Sequence, residues 1–295
     1  MNNISAPQPI FARDYRAPDY RIAQAYLEVT LDAHATRVLA RLDIEARDPA
    51  AAPLRPLRLD GENMQLVAIR MDGASLPADA YKTDAKYLTL HAPKARFRLE
   101  VETLIDPGAN TALEGLYLAG GLYCSQCEPE GFRHITYFID RPDNLTIFRT
   151  RIIGDKKTCP VLLSNGNMTA SGDLPDGRHW AEWHDPFPKP GYLFALVAGD
   201  LACVRDSFTT QSGREIDLRI YVDPGMEDRS AYAMDALKRS MRWDETRFGL
   251  EYDLDIYMIV ATIHFNMGAM ENKGLNIFIT GPATVSPAAT GFNLA

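Results

Sequence analysis

Long apolar runs, blocks of one charge and a cysteine framework are all missing from this chain. No window approaches the roughly 18 uninterrupted apolar residues that a helix needs to cross a bilayer. The opening, "MNNISAPQPIFARDYRAPDY", lacks the basic-then-apolar order of a secretory signal, so neither export nor membrane insertion is expected, and a cytoplasmic location is. Acids outnumber Lys and Arg by 39 to 31, a formal charge of −8. No basic tract interleaved with aromatics interrupts that balance, which argues against a nucleic-acid surface. Four cysteines are too few for a disulfide scaffold. Cys124 and Cys127 form "CSQC", but no second pair follows and no strand-then-helix context surrounds it, so they read as free thiols. No internal period marks a repeat protein.

What the chain does have is alternation. Val38, Ala40, Leu42, Ile44 and Ala46 alternate with Leu39, Arg41, Asp43 and Glu45; Phe97, Leu99 and Val101 alternate with the charged residues of 96–102. Successive side chains on a strand point opposite ways, so this period of two means one buried face and one wet face. Further strands are expected at Tyr26–Leu31, Met64–Ile69, Ile147–Ile152 and Ile216–Val222. Turn formers such as "DPGAN", "SNGN" and "DLPDGR" separate these segments. No long helix is expected before Pro224. Met234, Leu237, Met241 and Phe248 then recur at helical spacing, with the acids of "MED" near the start and Gly249 as the stop. The following "LDIYMIVATIHF" is too apolar for a half-wet strand and reads as a buried one. The 295 residues are room for one large or two ordinary domains of roughly 100–200 residues. The change of pattern puts a boundary near residue 200. The fold class is therefore mainly β: an antiparallel sandwich or saddle-like domain over 1–200, then the start of an α/β domain over 201–278. Residues 279–295 form an uncharged tail rich in small residues, in which Pro282 and Pro287 deny a helix.

Catalytic machinery is scarce. The six histidines form no His-x-x-x-His pair, and HExxH, a GxSxG elbow and a phosphate-binding glycine loop are all absent. His179 and His184, five apart, fall on opposite faces of an extended strand, and the tryptophans between them are expected to pack. Two acid-centred segments remain. One is "QCEPEG", with Gln126, Glu128 and Glu130; the other is Glu271 between Met270 and Asn272. Two separated carboxylates can converge on one cation, and a free α-amino group is such a cation, with the Gln126 amide adding hydrogen-bond geometry. Gly268 would let the backbone approach an extended peptide, as in strand addition. The alternative is that Glu128, Glu130 and Glu271 are solvated turn acids.

"GAMEN", Gly268 to Asn272, resembles the signature of the M1 family of zinc aminopeptidases, and the flanks make the likeness specific to its bacterial branch. "QCEPEGFRHITYFIDRPD", "LLSNGN", "WHDPFPKPGYLFALVAGD", "SGREIDLRIYVD", "MRWDETRFGLEYDLDIYMIV" and "FNMGAMENKGLNIF" all carry it, from about Tyr20 to Phe278. The resemblance implies an all-β N-terminal domain followed by the first part of a thermolysin-like catalytic domain. It implies that Glu271 and Glu128 hold the substrate's free α-amino group, with Gln126 beside them. It likewise implies that Gly268 and Ala269 line the peptide backbone, and that Met267 cushions the first substrate side chain. Met270 and Asn272 complete the exopeptidase motif.

In the family, GAMEN is followed by HExxH and a further Glu, which bind Zn2+ and supply the catalytic base. Neither stands in this sequence, so no metal ligand and no base is expected here, and no zinc. From about Ile279 the tail leaves the family pattern. The resemblance thus implies the N-terminal portion of a zinc exopeptidase, inactive alone, whose partners are peptides with a free N-terminus and which is a monomer. A different class of function is also open: a non-catalytic β-domain module that binds peptide N-termini or a protein partner. Without the helices of a complete catalytic domain, residues 201–295 are expected to be only partly ordered, and Ile256–Ala261 to lack cover.

Overall fold

The computed structural model describes residues 11–280 apart from 52 and 92. The expected tail lies almost wholly outside that range. Three sheets use residues up to Gly199, and a fourth uses only residues from Ala202 onward. The largest has eight strands, and its centre is built from Tyr20–Thr30, Thr36–Ala46, Arg96–Ile105 and Thr146–Asp155. Every expected strand is present, most of them longer by a few residues at one or both ends. Thr36–Ala46 illustrates the reason for the alternation: Val38, Ala40, Leu42 and Ile44 are fully buried, while Arg41 and Asp43 pair with Glu100 and Arg98 on the neighbouring strand. The large sheet departs from the antiparallel expectation at one place. Tyr20–Thr30 runs parallel to Thr146–Asp155, a pairing across more than a hundred residues of chain that no local pattern encodes.

A four-stranded sheet, in the order Val161–Ser164, Leu196–Gly199, Leu122–Gln126 and Gly115–Ala119, carries the first acid-centred segment at its end. A small third sheet joins Leu57–Asp60, Tyr87–Leu90 and Tyr81–Thr83.

The fourth sheet orders its strands Ala202–Thr209, Glu215–Val222, Ile256–Thr262, Leu275–Ile279 and Ala269–Met270. The middle three are mutually parallel. The helix Ala231–Phe248 connects two of them, and Gly249 ends it at φ 66°, its N–H closing on the Glu245 carbonyl at 3.0 Å. A left-handed residue there is the usual way to satisfy a helix's last carbonyls, and glycine adopts it without strain.

The strand Ile256–Thr262 is not left uncovered. Its edges pair with Glu215–Val222 and Leu275–Ile279. Its faces divide by parity. Ile256, Met258 and Val260 join the core of the first three sheets, together with Tyr221, Phe265, Met270, Leu275 and Ile277. Ile259 and Ala261 face the opposite way, into a second core with Met234, Leu237 and Met241 of the helix. The expectation that this part lacks cover is therefore corrected. The β sheets themselves supply one lid and the helix the other, because an apolar strand with two dry faces finds two layers within this chain.

Candidate functional site

The segment Gln126–Glu130 leaves the four-stranded sheet at the end of Leu122–Gln126, where Gln126 pairs with Gly115. Behind it a knot of rings holds the following residues. Phe132 is fully buried, with centroids 4.5, 5.6 and 5.3 Å from Phe138, Phe148 and Phe194. Gly131 makes the turn possible: a Cβ there would fall 2.3 Å from the Gln126 carbonyl oxygen. The Gly131 N–H instead donates to the Cys127 carbonyl at 2.8 Å. Arg133 then ties the segment down through Asp140 at 2.9 Å and Glu130 at 3.2 Å. Glu130, one of the three polar residues in this segment, is thus an ion-pair partner.

Gln126 and Glu128 differ in kind. Gln126 is 4% exposed; its Nε2 donates to the Glu128 carbonyl at 3.2 Å, and its Oε1 is buried with no partner. A buried amide oxygen without a donor costs about 1–3 kcal/mol, so the site is short of one hydrogen-bond donor. The Glu128 side chain is exposed. Cys124 and Cys127 are wholly buried; burial pushes the Cys124 thiol up to about 12 and Cys127 well above its ordinary value. Such thiols are inert, in line with the plain reading of CSQC.

The GAMEN segment forms the edge of the fourth sheet. Ala269 and Met270 pair antiparallel with Phe278 and Ile277, and the Ile279 N–H donates to the Gly268 carbonyl at 3.1 Å. No described strand pairs with the outer side of Ala269–Met270. Met270 is buried, whereas Met267 is 49% exposed and Gly268 and Glu271 are exposed. A Cβ built on Gly268 would meet nothing within 4 Å, so no described neighbour requires glycine at this position. Asn272 is the opposite case. It is fully buried and neither its Oδ1 nor its Nδ2 has a partner.

The loop before GAMEN docks the two segments onto one hairpin. The Tyr117 hydroxyl donates to the His264 carbonyl at 3.3 Å, and Asn266 Nδ2 donates to the Leu113 carbonyl at 3.0 Å. Burial pushes the Tyr117 phenol far above its ordinary range, so it is a permanent donor. Leu113 lies two residues before Gly115, the partner of Gln126, so both segments sit at the same end of the Gly115–Gln126 hairpin. Tyr117, Leu113 and Asn266 were not singled out from the sequence. A backbone carbonyl or a core tyrosine carries no sequence signal of its role. The structure brings the segments together but joins neither acid to the other: no hydrogen bond or ion pair links Glu271 to Gln126 or Glu128 among the described residues. Glu271 is felt instead at Tyr257, whose phenol is pushed up by burial first and then by Asp244 and Glu271.

Among the described residues no three His, Cys, Asp or Glu side chains stand close enough to hold a metal ion. The residues present therefore do not fit the zinc of the family. What they offer is carboxylate, amide and strand edge, which is the chemistry of recognising an extended peptide and its terminal amine.

Residues 20–193 match the Peptidase M1 N-terminal domain, and residues 232–289 match the Peptidase family M1 domain. The chain is 56% identical to Aminopeptidase N of Escherichia coli (strain K12) over 272 residues, covering 92% of this chain and 31% of the relative. It is 54% identical to Aminopeptidase N of Caulobacter vibrioides over the same length, again covering 31% of the relative. Among solved structures, Legionella pneumophila aminopeptidase A in complex with aspartic acid superposes with a TM-score of 0.88 at 37% identity. That match covers 93% of this chain and 32% of the other. An M1 zinc metallopeptidase variant from Deinococcus radiodurans shares the fold, with a TM-score of 0.75 at 18% identity over 89% of this chain and 61% of the other. The chain thus spans about a third of the length of the curated bacterial relatives it matches, and on its sequence and its fold it belongs to the M1 peptidase family.

Proposed function

We propose that this chain forms the amine-recognition side of an M1 aminopeptidase, with residues up to about 200 as the β domain and 201–278 as the first part of the catalytic domain. A peptide lies along the outer edge of Ala269–Met270, paired to it as an added strand. Its terminal ammonium is held by Glu271 and Glu128, and Gln126 orients it. The exposed thioether of Met267 lies against its first side chain. In a longer protein of this family a zinc ion, held by residues other than those described, would supply Lewis-acid chemistry at the scissile carbonyl, while Glu271 and Glu128 set how far from the chain end the cut falls. The observation that carries this reading is the edge at Gly268–Met270, whose outer side no described strand pairs, docked by Asn266 and His264 onto the hairpin that ends in Gln126.

Calorimetric titration of the chain with a short peptide, unblocked or N-acetylated, tests the reading. The unblocked peptide is expected to bind about ten- to a hundredfold more tightly, the range of ~1.5–3 kcal/mol for a hydrogen bond to a charged group. Glu271→Ala and Glu128→Ala should each narrow that gap. Equal affinity of the parent chain for both peptides would refute an amine site.

A further inference from the structure

Two of the family-like stretches, "LLSNGN" and "WHDPFPKPGYLFALVAGD", supply no residue to the amine site. In the structure both converge on Lys273 and Gly274, two and three residues after Glu271. Asn165 is 3% exposed and divides its amide between the two halves of the molecule. Its Oδ1 accepts from the Ala195 N–H at 2.7 Å, and its Nδ2 faces the carbonyls of Leu193 and Lys273, each at 3.4 Å. Gly166, at φ 90°, lies against Gly274: a Cβ built on Gly274 would fall 3.0 Å from the Gly166 nitrogen. Asn167 closes a reciprocal pair with Asp255. Its Nδ2 donates to Asp255 Oδ2 at 2.8 Å, and its Oδ1 accepts from the Asp255 N–H at 2.9 Å.

The second stretch supplies a platform. The Lys273 ammonium stands 3.3 Å from the centroid of the Phe187 ring and pairs with Asp253 at 2.7 Å. Phe187 is itself fixed by its N–H to Asp185 Oδ1 at 3.1 Å, and Asp185 is fully buried against Lys189. Side chain, backbone and ring therefore grip Lys273–Gly274 from the β domain. The grip reaches the strand beside it too, because Asp255 immediately precedes Ile256–Thr262 and the Met258 N–H donates to the Gly274 carbonyl at 3.1 Å.

We propose that the turn Asn165–Gly166–Asn167 positions the exopeptidase motif: it fixes Lys273–Gly274 so that Glu271 is set against the Gln126–Glu128 segment. The proposal rests on the amine-binding reading of Glu271. None of the three residues touches the peptide; they act through Lys273, Gly274 and Asp255, which makes them positioning residues. A few ångströms of drift at Lys273 would move Glu271 off the terminal amine, because a charge-assisted hydrogen bond tolerates little misplacement.

The reciprocal pair offers a test that a generally structural role would not meet. Asn167→Asp sets two carboxylates against each other, while the double variant Asn167→Asp, Asp255→Asn restores the side-chain hydrogen bond with donor and acceptor exchanged and keeps an acceptor for the residue-255 N–H. In the 295-residue chain, Asn167→Asp is expected to speed amide hydrogen exchange in the peptide spanning 268–278 by about tenfold and to weaken unblocked-peptide binding by a similar factor. The double variant should recover both to within about twofold of the parent. Asn165→Ala should act in the same direction with no recovery from Asp255→Asn. Unchanged exchange over 268–278 in Asn167→Asp, or failure of the exchanged pair to recover it, overturns the proposal. If exchange responds and recovers while the parent does not distinguish unblocked from acetylated peptide, the grip on 268–278 stands and the amine site falls.

Discussion

Met258 is one of the residues through which the fourth sheet enters the core of the first three, and its truncation tests whether the two parts fold as one. It is fully buried, central in Ile256–Thr262, and in the same cluster as Leu116, Phe132 and Leu196 rather than in the cluster under the helix. Met→Ala at such a site removes three heavy atoms from a close-packed interior and leaves a cavity that backbone hydrogen bonds on both edges keep from collapsing. The cost is about 2–5 kcal/mol. With a urea m-value near 3 kcal/mol/M, toward the upper end for small domains, the unfolding midpoint should fall by roughly 1 M. The assay needs one probe in each part. Trp180 and Trp183 report the β domain once Trp243 is replaced by Phe, and far-UV ellipticity reports the helix Ala231–Phe248. In a single cooperative unit both probes shift together, and fluorescence and ellipticity trace one transition. A Met258→Ala chain whose helix signal moved while its β-domain fluorescence held the parental midpoint would refute the shared core, and a division near residue 200 would then mark two independent folding units.

Three further outcomes are expected. Gly166→Ala should lower the melting temperature, because φ is 90° and a Cβ would stand 2.1 Å from the His184 carbonyl oxygen, backbone that cannot move aside; an unchanged melting temperature would contradict that. Burial raises the Asp60 carboxyl above its ordinary range, against the backbone hydrogen bond from Asp140 and the Arg133 charge. A raised folded value means stability that is full below the unfolded value and is lost as pH rises through the folded one. Asp60→Asn, which keeps an acceptor for the Asp140 N–H, should therefore be more stable at neutral pH and lose less between about pH 4 and pH 7, measured as urea midpoints; a parent with no slope in that window would exclude it. Elemental analysis of the dialysed chain should find no stoichiometric zinc, since the described residues bring no three ligands together; one tightly held zinc per chain would refute this.

Alternation in the sequence determined the strands and their faces, because a period of two is a local property of a pleated chain. The helix and its glycine stop were legible for the same reason, through the spacing of Met234, Leu237 and Met241 and the left-handed turn at Gly249. The composition of "GAMEN" and "QCEPEG" marked the acid-bearing segments. What covers a face, however, is decided between residues far apart in sequence. Ile256–Ala261 reads as buried but without cover, and only the packed molecule shows Met258 and Val260 against the first three sheets and Ile259 against the helix. The parallel pairing of Tyr20–Thr30 with Thr146–Asp155, the place of Ala269–Met270 at a sheet edge, and the meeting of Asn165 and Asn167 with Lys273 and Asp255 are likewise tertiary. Each rests on a backbone group or a non-local contact, and those leave no trace in local side-chain periodicity.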